Sequence, residues 1–128
     1  MDMFLQLILK LEMKIIFLWH SVIIIYLGIG WALQKMESYG LAIEAYDKSL
    51  AIEPDQPFAF YNQARCHARL GHDLWALEHL NRAMSLDPNI YTERAHADPL
   101  LQSILKDMED NDSGEDLEAV ERIDFDAE

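Results

Sequence analysis

Three histidines, His67, His72 and His79, crowd one stretch of the chain beside its single cysteine, Cys66. Imidazole and thiolate groups bind metals and carry protons, so these four residues come first in any search for chemistry. Their order matches neither HExxH nor CxxC, the spacings that set metal ligands on one face or one turn. Nothing near Cys66 in sequence would lower its pKa, and it reads as a small buried apolar residue. Asp110-x-Asp112, Gly114 and Glu121 imitate a calcium loop, but the glycine comes one place early and the fifth-position ligand is missing. Gly28-x-Gly30 runs on to Leu33 where a dinucleotide loop needs a third glycine. Serine, histidine and acidic residues occur without a recognisable nucleophile setting. The expectation is a protein that is not an enzyme and that needs no cofactor and no metal.

What holds these residues is a repeat. Tyr26-x-x-Ile29-Gly30-x-x-Leu33, Ala42, Tyr46 and Pro54 return 34 residues later as Phe60-x-x-Gln63-Ala64-x-x-His67, Ala76, Leu80 and Pro88. Self-similarity at a fixed period marks a stack of identical supersecondary units, each burying its neighbour. These landmarks resemble those of the tetratricopeptide repeat, and the resemblance implies, in the first unit, a helix from about Ile24 to Met36 and a second from about Gly40 to Ile52. Leu41, Ala42, Ala45, Tyr46, Ser49 and Leu50 form the inward stripe of that second helix, and Pro54 ends it. In the second unit the helices are expected at about Phe58 to Leu70 and Asp73 to Leu86, with Gly71 in the turn and Asp73 as N-cap. Gly30 and Ala64 fall where helices approach closely. His67 takes an inward slot, which separates it from any ligand set with His72 and His79.

This order of aromatic, small, small, aromatic and proline positions at a 34-residue period resembles the tetratricopeptide repeat. The resemblance covers 23–56 and 57–90. It implies an all-α fold, a right-handed superhelical stack of antiparallel helix pairs, here preceded by an extra apolar helix. A third unit fails, because its small-residue slot is Asp98, Pro99 follows, and its alanine slot is Asp110. Residues 91–109 instead read as a short helix from Tyr91 to Ala97 and a second opening at Asp98-Pro99, with Leu100, Leu101, Ile104, Leu105 and Met108 on one face. This is similar to the capping helix after the last repeat in bacterial members of that family.

The resemblance also implies a non-catalytic interaction module that receives a peptide in a concave groove. Carried over position by position, the groove-lining slots are Ile24, Leu27, Trp31, Gln34 and Lys35, then Phe58, Tyr61, Arg65, Ala68 and Arg69, with Asn62 beside them. Leu27, Trp31, Lys35, Phe58, Tyr61, Asn62, Arg65 and Arg69 are the expected peptide-binding residues. Aromatic rings flanked by arginines suit apolar anchors with some acidity. The alternative is that Leu27 and Trp31 lie buried under the N-terminal helix. The clamp by which some family members hold a chaperone's acidic C-terminus is not reproduced: its five slots hold Leu27, Trp31, Asn62, Thr92 and His96, and only Asn62 matches.

Residues 1–22 are expected to form a separate apolar helix. Asp2, Gln6, Lys10 and Lys14 make a polar stripe, while Phe4, Ile8, Leu11 and Ile15 stand among the apolar residues expected to mediate self-association. From Ile15 to Leu33 there is no charge, long enough for a bilayer span, so a membrane-anchored assembly factor held by residues 13–33 is the alternative. The same residues would have to pack as the first repeat helix. Packing on the chain's own repeats, a second copy and a membrane surface all remain open as covers. The abrupt apolarity before Ser21 also fits a different translation start or a piece of a longer array.

The formal charge is −13, and residues 107–128 carry −10 of it. The folded part is therefore nearly neutral, and the acidity belongs to a tail over 110–128. A net-negative chain gains nothing from phosphate backbones, so no nucleic acid is expected. Leu117, Val120, Ile123 and Phe125 are spaced among the acids. The tail reads as a solvated, flexible segment, or as a ligand for Arg65 and Arg69. One cysteine permits no internal disulfide and suits a reducing compartment, hence a cytoplasmic location with membrane association open.

Overall fold

The computed structural model describes residues 2–112, and among them there are six α-helices and no strand. α1 runs Asp2–Lys35, α2 Tyr39–Ile52, α3 Pro57–Arg69, α4 Asp73–Leu86, α5 Pro88–Ala97 and α6 Pro99–Asp112. The acidic tail and the imitation calcium loop lie, beyond Asp112, outside the described residues; Asp110 and Asp112 themselves sit in helix α6.

The two repeat units are α1 (its C-terminal half) with α2, and α3 with α4. The turn inside each is closed alike. Glu37 N donates to Gln34 O and Ser38 N to Leu33 O, and 34 residues on Gly71 N donates to Ala68 O and His72 N to His67 O. These bonds satisfy carbonyls that the ending helix leaves open. Between the units, Pro54 stops α2 from continuing. The Gln56 amide then donates to Ser49 O at 3.0 Å and Glu53 O at 2.7 Å, closing the end of α2 before Pro57 opens α3.

Each helix packs mainly on its neighbours in sequence, and α6 folds back on α3 and α4. Ala42, Tyr46, Ala59 and Cys66 form one core between the two units. Phe60, Ala64, Ala76, Leu80 and Ala83 form the other, which Tyr91, Leu101, Ile104 and Leu105 close from the C-terminal side. Three apolar side chains of α6, Leu101, Ile104 and Leu105, belong to this second core, where α6 meets α3 and α4.

Three expectations need correction. The N-terminal helix is not separate: α1 is unbroken for 34 residues, roughly 50 Å. No proline interrupts it, and the polar pair His20 and Ser21 bonds back to Ile16 O and Phe17 O within the helix. Asp73 is the first residue of α4, and the N-cap position belongs to His72. The first capping helix begins at Pro88 rather than Tyr91, because Pro88 ends one helix and serves as N1 of the next, with the Asp87 carboxylate accepting from Ile90 N.

Candidate functional site

The ends of α1 and α3 and the start of α6 meet around a cleft of about 170 Å³ lined by Gln34, Lys35, Glu37, Tyr39, Arg65, Arg69 and Leu100. Of the eight expected groove residues, Lys35, Arg65 and Arg69 come together here. Lys35 and Arg69 occupy equivalent positions in the two repeats, so the period itself sets two cations along one wall. Arg69 has no ion pair among the described residues, and the Lys35 ammonium stands 5.4 Å from the Trp31 ring centre. Trp31 is half exposed. Phe58 is at the margin of exposure, with its ring edge-on to Tyr46 at 6.5 Å.

Leu27, Tyr61 and Asn62 are not on the open surface. Leu27 packs against the core of Ala42 and Tyr46. Asn62 is buried and its amide donates to Phe58 O at 2.9 Å. Tyr61 is 5% exposed, its ring 5.4 Å from Tyr91, and its hydroxyl donates to Asp98 Oδ2 at 2.8 Å. Burial, then the bond to Asp98, push the Tyr61 phenol above its ordinary pKa. Arg65 Nε stands 2.8 Å from the same carboxylate oxygen, a close ion pair rather than an aligned hydrogen bond.

Asp98 therefore holds two of the expected groove residues, Tyr61 in the interior and Arg65 at the cleft wall. Its sequence signal, Asp followed by Pro, pointed only to a helix start. It is one, since Leu100 N donates to Asp98 Oδ1 at 3.1 Å. The second duty depends on tertiary packing and leaves no local trace. Gln34, a groove slot by repeat position, is likewise turned inward, and accepts from the Tyr46 hydroxyl at 2.9 Å. Burial raises the Tyr46 phenol in turn.

On the far side of α3 the three histidines do gather. The His67 ring centre lies 4.8 Å from His79 and 5.8 Å from His72, and stacks on Trp75 at 6.1 Å. Among the described residues no three His, Cys, Asp or Glu side chains are placed to hold a metal ion. Desolvation first, then the neighbouring His79 and His72, lower the His67 pKa to about 4. Burial raises Cys66 to about 11, which leaves its thiol protonated and unreactive near neutrality.

Comparison with known proteins agrees with the repeat boundaries. Family models described as tetratricopeptide repeat match residues 23–56 and 57–90. Over 64 residues, 48% of this chain, it is 33% identical to the small glutamine-rich tetratricopeptide repeat-containing protein 2 of Mycosarcoma maydis. The matched stretch is 18% of that relative's length. These matches give no support to a bacterial subtype.

Proposed function

Since the chain belongs to the tetratricopeptide-repeat proteins, whose repeats generally mediate protein–protein contacts and are generally non-catalytic, we propose that it is an adaptor. It binds an acidic partner segment with apolar anchors along the cleft of Lys35, Arg65 and Arg69, and self-associates through α1. The observation that carries this reading is the convergence of Lys35 and Arg69 on one cleft beside Arg65, which Asp98 already pairs, with Glu37 as the acid of the lining and the exposed Trp31 ring nearby. A carboxylate entering between Lys35 and Arg69 makes charge-assisted hydrogen bonds, and an apolar neighbour covers Trp31.

A synthetic peptide of residues 115–128 has the required chemistry, seven acidic residues among Leu117, Val120, Ile123 and Phe125. Its binding to a chain ending at Asp112 is read by fluorescence anisotropy. Micromolar binding that weakens with salt and is lost in Lys35→Glu/Arg69→Glu supports the reading. No binding at low ionic strength, or binding indifferent to the charge reversals, overturns it.

Self-association is supported by the exposure of Phe4, Ile8, Leu11 and Ile15, all about half exposed or more. The second reading, a membrane-anchored factor, is favoured by the 18-residue stretch of α1 with mean hydropathy 2.0 and 6% burial. It faces two costs. Leu27, Gly30, Leu33 and Gln34 of the uncharged run are already engaged with α2. Shifting the span toward the free end places Lys10, Glu12 and Lys14 in the hydrocarbon, at about 2.5–3.5 kcal/mol each near its centre. Carbonate extraction separates the readings, because only an inserted helix stays with the membrane.

A further inference from the structure

α1 has two faces with different partners. Tyr26, Gly30, Leu33 and Gln34 turn toward α2, and a methyl group added to Gly30 would come within 2.7 Å of Tyr46. A second stripe avoids that contact. It steps by four and three residues in strict alternation from Phe4 through Ile8, Leu11 and Ile15, then Leu18, Val22, Ile25, Ile29 and Ala32.

That alternation is a heptad, sustained for four turns of the repeat, or roughly 42 Å of helix. Its residue types divide by register. Ile8, Ile15, Val22 and Ile29 are β-branched throughout and take the a positions. Phe4, Leu11, Leu18 and Ile25, then Ala32, take the d positions. Most of the stripe stays exposed where α2 packs alongside: Ile25 is 57% exposed and Ile29 44%, Val22 is half-buried, and Phe4 at the far end is 77% exposed.

Building on the self-association read above, we propose that α1 forms a parallel, in-register two-stranded coiled coil with the α1 of a second copy of this chain. β-Branched residues at all four a positions, with Leu11 and Leu18 among the d positions, follow the two-stranded parallel pattern, because parallel pairing stacks a on a and d on d in separate layers. The charges fit as well: Asp2 and Lys10 stand away from the seam, and Glu12 and Lys14 flank it at e and g, in contact with water. The exposed seam residues offer roughly 700 Å² on each copy, close to the ~800 Å² per partner of a standard stable interface.

Because the seam and the α2 face are different sides of one helix, both repeat stacks keep their own packing and sit outside the pair. Each dimer then presents two grooves at one end of a rod.

The test uses the full chain without detergent. Light scattering at micromolar concentration should give twice the chain mass, and Ile15→Asp or Leu18→Asp should give a monomer with its stack helicity intact, since both side chains are exposed on the single chain. Ile8→Cys and Val22→Cys, made separately and oxidised, should each give a disulfide-linked dimer, while the wild-type chain, whose Cys66 is fully buried, should not. Cross-linking at one of the two positions alone means antiparallel pairing and overturns the proposal. So does a monomer, a trimer or larger species, or a chain that is found only on phosphatidylcholine vesicles. Binding of the 115–128 peptide to the Ile15→Asp chain, read in parallel, tells a failed seam from a failed groove.

Discussion

Glu37 and Gly71 stand 34 residues apart and share a left-handed backbone, with φ of 62° and 78°. Each lies just past the first helix of its repeat, where the chain must reverse. Glycine adopts that conformation without strain, and a side chain does not. The second repeat therefore has the expected residue, and the first holds a glutamate in its place. Glu37→Gly should stabilise the protein by about 0.5–1 kcal/mol, and Gly71→Ala should destabilise it by about 1 kcal/mol. Urea unfolding at pH 7 measures both. Glu37 also lines the cleft, so its removal should tighten binding of an acidic peptide while Gly71→Ala leaves affinity unchanged.

Gly30 and Tyr46 make a second matched pair with the period. A methyl group on Gly30 would approach Tyr46 Cε1 to 2.7 Å, and the equivalent positions in the next repeat are Ala64 and Leu80, both fully buried. The larger ring in the first repeat goes with the smaller partner. Gly30→Ala should cost about 1–3 kcal/mol by overpacking, against a gain in helix propensity of at most about 1 kcal/mol. Tyr46→Leu removes the ring but strands the buried Gln34 amide, at about 1–3 kcal/mol. The double variant should be more stable than the sum of the two losses, a positive coupling readable from a double-mutant cycle.

These pairs explain why the repeat was legible from sequence alone. Gly30, Ala64, Ala42, Ala76 and the two prolines mark steric needs local to one unit, and such needs recur with the period. The bounds of α4 and the apolar face of α6 were legible for the same reason. The continuity of α1 was not, because a polar pair such as His20-Ser21 looks like a boundary until its side chains are seen bonded within the helix. The groove was only half legible. Repeat position identifies which residues could face it, but Asp98 reaches Tyr61 and Arg65 across more than 30 residues of sequence, and no spacing rule anticipates that.

Asp98 is where the cap is fastened to the repeats. Its carboxylate accepts from the Tyr61 hydroxyl, faces Arg65 Nε and caps α6 through Leu100 N. Asp98→Ala should cost about 2–4 kcal/mol, since it removes a cap and leaves a buried phenol and a half-buried guanidinium without their acceptor. Asp98→Asn keeps the cap and one acceptor and should cost less than half of that. Tyr61→Phe removes a single bond and should cost about 1 kcal/mol. Limited proteolysis near Asp98 and urea midpoints, taken together, check whether the loss begins with release of α5 and α6.

His67 gives stability a pH dependence whose sign follows from its burial. The ring sits against His79, His72 and Trp75, with Asp47 and Glu78 as the nearby carboxylates, and its buried Nδ1 has no hydrogen-bond partner. Its pKa is about 4 in the folded chain against 6.5 for the free side chain. Above pH 6.5 neither state holds the proton, and stability is indifferent to this residue. Between pH 6.5 and 4 the unfolded chain takes up a proton that the folded one refuses, so stability falls as pH falls, and below 4 the slope vanishes. Allowing for partial solvent access, the loss across the window should be about 1–3 kcal/mol. The equivalent residue of the first repeat is Leu33, which names the control. His67→Leu should remove this part of the decline between pH 7 and 5 while carboxylate titration remains. Equal slopes for the two proteins in urea unfolding at both pH values would mean that the ring is charged in the folded state.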